Sequence, residues 1–155
     1  MIIKVCGMRD PDNIRALETA AQPDWMGFIC YERSPRYVAS RPSYMPGAGI
    51  KRVGVFVDPV ACDVARRAAE LELDLIQLHG HESADLCRQL QASLGLPIIK
   101  AISISTAADF GRSVFTTTAR TYLPVDYLLF DTKCTGYGGS GQQFDWSLLN
   151  NYHSD

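Results

Sequence analysis

Along this chain, short runs of consecutive apolar residues alternate with stretches whose apolar positions recur at helical spacing. Ile2-Ile3-Lys4-Val5-Cys6 reads as a first strand. Asp10-Pro11 then supplies an N-cap residue with proline at the first helical position. Ile14, Leu17 and Ala21 continue one helix face until Pro23. Trp25 to Ile29 predicts a second strand and Arg52 to Val57 a third; Asp58-Pro59 repeats the cap signal ahead of Val60, Val64, Ala68 and Leu71. Asp74 to Leu78 is a fourth strand, followed by Leu86, Leu90 and Leu94 on one helix face. Pro97 to Ile102 is a fifth, with Thr106 and Asp109 in capping-box spacing before Phe110 and Val114. Asp126 to Phe130 is the sixth, ending at Asp131, and a last helix is expected near Phe144-Asp145-Trp146. Between Pro35 and Gly49, three prolines (Pro35, Pro42, Pro46) leave room only for a short, irregular helix.

Strands that read as nearly continuous apolar runs are covered on both faces. Alternating with helices, they imply right-handed βαβ units and a parallel sheet. Two closures of that sheet compete. A doubly wound open sheet carries a glycine signature such as G-x-G-x-x-G in its first β-to-α turn, and Cys6-Gly7-Met8-Arg9-Asp10 lacks it. A TIM (β/α)8-type barrel gathers its chemistry at the C-terminal ends of several strands, and here those ends carry Cys6, Asp58, His79 and Asp131. The expected class is therefore α/β, a single barrel domain over residues 1–155. A complete eight-unit barrel needs roughly 200 residues or more. With about six βα units the domain is expected to be C-terminally incomplete. A six-strand arc leaves edges at its first and sixth strands, which invite self-association.

Composition narrows the class without naming a reaction. With 46% hydrophobic and 21% charged residues the chain is globular rather than disordered. Its net charge of −2 is no footprint of a nucleic-acid binder. No apolar run approaches the ~20 residues that span a bilayer, and the N-terminus lacks the order of a signal peptide. A cytoplasmic protein without membrane or nucleic-acid partner is expected. The five cysteines contain no C-x-x-C, so Cys30, Cys62, Cys87 and Cys134 are expected as small core hydrophobes. His79 and His81 flank Gly80 but have no third ligand motif nearby, so no metal is expected.

Four features carry candidate chemistry. Cys6 closes a strand ahead of a glycine, where a thiol serves as base or nucleophile if its surroundings favour the thiolate, or is merely a small apolar residue. Asp131 ends an apolar strand; poor solvation there would suit a general acid, whereas capping the next loop is its ordinary alternative. Residues 135–141 hold four glycines in seven. They read as a flap whose backbone N–H groups, Gly138 and Gly139 among them, meet an anion, or as a flexible linker. Arg36, in Ser34-Pro35-Arg36-Tyr37-Val38, has the fork to grip a carboxylate, or lies solvated on its loop.

Taken in order, the motifs resemble the phosphoribosylanthranilate isomerase family of tryptophan biosynthesis. The match runs from Lys4-Val5-Cys6-Gly7-Met8 through Gly27-Phe28-Ile29, Ser34-Pro35-Arg36-Tyr37-Val38 and Val53-Gly54-Val55-Phe56-Val57-Asp58. It continues with Ile76-Gln77-Leu78-His79-Gly80, Asp131-Thr132, Gly138-Gly139-Ser140-Gly141 and Phe144-Asp145-Trp146. The resemblance implies a cofactor-free Amadori rearrangement of N-(5′-phosphoribosyl)anthranilate, a small phosphosugar. It implies Asp131 as general acid and Cys6 as general base. Arg36 would hold the anthranilate carboxylate, with Gln77 and His79 lining the site and the glycine segment shielding the intermediate from water. The family pattern continues with two further βα units that carry the phosphate site. Two rival readings stand beside this one: a folded remnant that binds a partner or its missing half, and a barrel acting on another phosphosugar.

Overall fold

The computed structural model describes residues 1–104, 120–122, 125–132 and 147. The capping box at 106–109, Cys134, the glycine segment at 135–141 and the helix expected near residue 145 lie outside the described residues. Strands β1 (Lys4–Cys6), β2 (Trp25–Ile29), β3 (Lys51–Phe56), β4 (Leu75–Leu78), β5 (Ile98–Ile104) and β6 (Tyr127–Thr132) form one sheet in chain order. Every neighbouring pair is parallel. A doubly wound sheet reverses its strand order at a switch point. The monotonic order here winds one way only, as a barrel does.

Curvature follows from a contact that a flat sheet forbids. Four strand spacings separate β2 from β6, about 19 Å in a flat sheet, yet the rings of Trp25 and Tyr127 meet edge to face at 5.1 Å. The concave face holds a small apolar layer of Val53, Leu75 and Ile99 with Trp25 against it. The larger core lies on the convex face, where Met26, Phe28, Phe56, Ile76, Leu78 and Ile98 pack beneath the helices. That division is the alternation of side chains along each strand.

Helices α1 (Pro11–Ala20), α2 (Ala61–Leu71) and α3 (Ala84–Leu94) cover the convex side. Asp10 caps α1 as expected, its carboxylate accepting from the N–H groups of Asp12 and Asn13. α3 starts at Ser83, whose hydroxyl accepts from Leu86 N–H, and stops at Gly95 in the left-handed region (φ 64°). Residues 35–49 form no helix. Instead Tyr44 and Gly47 N–H both donate to the carboxylate of Glu18 on α1, and Val38, Tyr44, Met45 and Ile50 pack into the core where a helix would lie.

Three expectations need correction. Ile2 and Ile3 stand outside β1 and are half exposed, because β2 begins at Trp25, the partner of Lys4. Asp58 does not cap α2: it takes a left-handed conformation (φ 45°), and the helix starts after Val60 without a side-chain cap. The carboxylate of Asp58 serves another loop, described below. Cys62 is exposed on the first turn of α2 rather than in the core, whereas Cys87 is buried and Cys30 half-buried. Burial pushes both the Cys30 and Cys87 thiols up from their usual range, which removes them as nucleophiles.

Candidate active site

The C-terminal ends of β1, β4 and β6 meet across the concave face. Lys4 and Cys6 are two residues apart on β1 and so share a face. Both flank Gly27 of β2: a Cβ there would fall 2.8 Å from Cys6 Sγ and 3.1 Å from Lys4 Nζ. The ammonium and the thiol therefore lie within about 6 Å of each other. Only a glycine leaves room for them. Cys6 is exposed.

The next residue explains the position of Arg36. Gly7 has φ 95°, a conformation costly for any side chain, and its N–H and that of Met8 both donate to the carbonyl of Gly27 at 2.9 Å. This tight turn lets the loop after β2 lie across it. A Cβ on Gly7 would stand 2.8 Å from Arg36 Cδ and 2.9 Å from Nη1. Arg36 is exposed and its guanidinium sits over the turn that follows Cys6.

From the opposite wall, a chain of polar side chains crosses the concavity. Lys4 Nζ donates to Gln77 Oε1 at 2.7 Å. Gln77 Nε2 lies 3.3 Å from His79 Nδ1, and His79 Nε2 lies 3.0 Å from Asp131 Oδ2. Gln77 is 2% exposed, while the side chains of His79 and Asp131 keep 23% and 42%. The expected poor solvation of Asp131 is thus not found: the carboxyl faces the open concavity and has His79 as its partner. The structure brings Cys6, Arg36, Gln77, His79 and Asp131 to one end of the sheet. Gly138 and Gly139 lie outside the described residues.

Beneath this rim is a clamp that sequence reading missed. Glu82 and Lys100 form a fully buried ion pair at 2.8 Å, with side-chain exposures of 0% and 2%. Lys100 also donates to the Gly80 carbonyl at 2.8 Å and lies 5.4 Å from the centre of the Tyr122 ring. Glu82 Oε1 accepts from Asp58 N–H at 3.0 Å and from Gly80 N–H at 2.9 Å. In return the Asp58 carboxylate accepts from His81 N–H at 2.6 Å. The loops after β3 and β4 are therefore cross-bonded in both directions, and β5 anchors them through Lys100. His79 sits at the start of the clamped loop. A charged residue inside the apolar run Ile98-Ile99-Lys100-Ala101-Ile102 was the signal available for Lys100. Lys4 had a similar one, sharing a strand face with Cys6.

Among the described residues no group of three His, Cys, Asp or Glu side chains is placed to hold a metal. No helix among them is long and apolar enough to cross a membrane. What the arrangement offers is an exposed thiol and guanidinium on one side of a cleft and a histidine-bonded carboxyl on the other. That set can hold an anion and move protons at two atoms.

Residues 3–155 match the family model for N-(5′-phosphoribosyl)anthranilate (PRA) isomerase. The chain is 49% identical to the N-(5′-phosphoribosyl)anthranilate isomerase of Phocaeicola vulgatus, over 98% of this chain and 70% of that protein. It is 45% identical to the enzyme of the same name from Parabacteroides distasonis, over the whole of this chain and 69% of that protein. Among solved structures, phosphoribosyl anthranilate isomerase from Thermotoga maritima superposes with a TM-score of 0.74 at 28% identity, covering 99% of this chain and 74% of that one.

Proposed function

The chain belongs to the N-(5′-phosphoribosyl)anthranilate isomerase family, and from that premise we propose that it performs the isomerisation with Asp131 as general acid and Cys6 as general base. The reaction is the Amadori rearrangement of tryptophan biosynthesis, its substrate a small phosphosugar and its setting the cytoplasm. Asp131 gives a proton to the ribose ring oxygen; the C1′–O bond breaks as the anthranilate nitrogen lone pair forms an iminium. That cation makes the C2′ proton acidic, so a modest base suffices. Cys6 takes the proton, and the electrons left on C2′ form the C1′=C2′ enolamine. Protonation at C1′ and ketonisation at C2′ give 1-(2-carboxyphenylamino)-1-deoxyribulose 5-phosphate. No atom is gained or lost.

The observation that carries this reading is the His79 to Asp131 hydrogen bond of 3.0 Å, facing the thiol of Cys6 across the concave end of the sheet. With Oδ2 engaged by the imidazole, Oδ1 is left to meet the substrate. Arg36, over the turn after Cys6, holds the anthranilate carboxylate bidentately, and Gln77 with His79 completes the wall. Gly138 and Gly139 add backbone N–H donors to the substrate on the strength of the motif alone. The decisive test is loss of phosphoribosylanthranilate fluorescence on adding the chain. Turnover that falls by about 10²-fold or more in Cys6→Ala and in Asp131→Asn supports the reading; near-normal turnover in either variant removes that residue's role.

A second reading draws on the exposure of Tyr127 (40%) and Leu129 (37%) on β6 and of Ile2 and Ile3 beside β1. Apolar sheet margins of this kind favour self-association, or pairing with the remaining βα units of a barrel, and a chain that does only this turns over no substrate. Sedimentation of an inactive chain as dimers or larger species would favour it. A monomer that isomerises the substrate would exclude it.

A further inference from the structure

We propose that Lys4 is a positioning residue that, through Gln77, fixes the tautomer of His79 and so decides which oxygen of Asp131 carries the catalytic proton. The inference rests on the assignment of Asp131 as the acid and asks what keeps its proton in the right place.

An ammonium has three donors and no acceptor, so the Gln77 atom at 2.7 Å from Lys4 Nζ is its carbonyl oxygen. The amide nitrogen, with two donors, then faces His79 Nδ1 at 3.3 Å. Gln77 is 2% exposed; turning the amide over would set its NH2 against the ammonium, donor against donor, and leave its own oxygen facing His79. Nδ1 must therefore accept, which places the proton of the neutral imidazole on Nε2. That N–H donates to Asp131 Oδ2 at 3.0 Å. A protonated Asp131 consequently keeps Oδ2 as the accepting oxygen and carries its proton on Oδ1, toward the substrate. Were the tautomer reversed, Nε2 would accept instead and draw the acid proton to Oδ2, away from the ring oxygen.

While Asp131 is ionised, its charge alone holds the proton on Nε2. Lys4 matters in the neutral form, the one that acts as an acid. Asp131→Asn imitates that form, since an amide can donate to Nε2 or accept from it. Nitrogen-15 NMR of the full chain in this background reads the His79 tautomer directly, with or without turnover. In Asp131→Asn alone, Nδ1 resonates as an acceptor nitrogen and Nε2 as N–H. Adding Lys4→Met frees the amide of Gln77 and moves the Nδ1 signal toward N–H; adding Lys4→Arg, which also only donates, leaves it in place. In the chain with Asp131 intact, Lys4→Met lowers kcat about tenfold, part of the roughly 10² to 10⁴ that a positioned acid supplies, with KM little changed; Lys4→Arg restores kcat. A His79 tautomer identical with and without Lys4→Met overturns the proposal, as does an Nδ1–H form in the Asp131→Asn variant itself. Failure of turnover in every form, the unsubstituted chain included, would remove the proposed isomerase activity on which the role of Asp131 rests and leave the NMR result to decide the tautomer.

Discussion

Replacing Lys100 by methionine removes one ammonium and leaves the Glu82 carboxylate, fully buried, without its countercharge. Removing one partner of a buried ion pair costs about 3–5 kcal/mol. The half-buried Gly80 carbonyl, which Lys100 serves at 2.8 Å, also loses its donor, and leaving it unpaired adds about 1 kcal/mol. The methionine stem fills much of the vacated volume, so cavity formation contributes little. A loss of about 4–6 kcal/mol is a large part of the roughly 5–15 kcal/mol that holds a domain together. It corresponds to a Tm lower by about 10–20 °C, at about 2–4 °C per kcal/mol. The companion change Glu82→Gln should recover most of it. The amide oxygen that this change introduces still accepts from the N–H groups of Asp58 and Gly80, which stand 3.0 and 2.9 Å from Glu82 Oε1. The new NH2 stands where Glu82 Oε2 accepted from Lys100 at 2.8 Å and from Gly80 N–H at 3.0 Å, so the second of these bonds is lost, but no buried charge is left unpaired. Urea unfolding followed by circular dichroism gives all four corners of the cycle. A cost below about 1 kcal/mol for Lys100→Met, against the several expected of a buried pair, would mean that the pair is not the anchor of the loop carrying His79. A double variant no more stable than the single one would mean the same.

Other consequences are quicker to check. Gly27→Ala puts a methyl 2.8 Å from Cys6 Sγ and 3.2 Å from Cys6 Cα, so it should cost about 1–3 kcal/mol as overpacking and lower kcat by displacing the thiol; unchanged kinetics would show that this contact is relaxed at no expense. The carboxyls of Glu18, Glu70 and Glu72 are held below their ordinary 4.5 chiefly by hydrogen bonds from Tyr44, Arg67 and Arg41 respectively. Between the lowered folded-state values and 4.5 the unfolded chain binds more protons. Their contribution is therefore present above pH 4.5 and lost as pH falls through the folded values, so the urea midpoint should fall below pH 4.5, and by less in Glu70→Gln. Alkylation mapped by mass spectrometry should label Cys6 and Cys62 well before Cys30 and Cys87, whose thiols burial pushes up; early labelling of Cys87 would contradict its burial in the core.

Much of the fold was legible because its signals are local. Helix starts and strand ends follow from caps, prolines and apolar runs that need no distant partner, as Asp10-Pro11 at α1 illustrates. Asp58-Pro59 carries the same local signal and misleads. There the long-range bonds of Asp58 to His81 and Glu82 outweigh capping and draw the residue into the left-handed region. The site was legible as a set of strand-end residues, but its connections were not. Strand alternation puts Lys4 on the face of Cys6, yet its bond to Gln77 spans 73 positions and exists only because the sheet curls until β1 and β4 meet. Glu82 is buried only because Lys100 of β5 meets it, and sequence spacing does not bring the two together. Asp131 was expected in a dry setting and is instead kept open, with a histidine supplying the partner.

The central claim is that Cys6 and Asp131 move two protons across this concavity, and isotope transfer tests it most directly. In D2O, the proton that Cys6 takes from C2′ exchanges with solvent, because the thiol is exposed, and C1′ is then protonated from the deuterated pool. The chain should convert phosphoribosylanthranilate to product bearing one deuterium at C1′, and Cys6→Ala should form that product slower by about 10²-fold or more. Absence of conversion, unlabelled product, or labelling at an equal rate by Cys6→Ala would contradict the account.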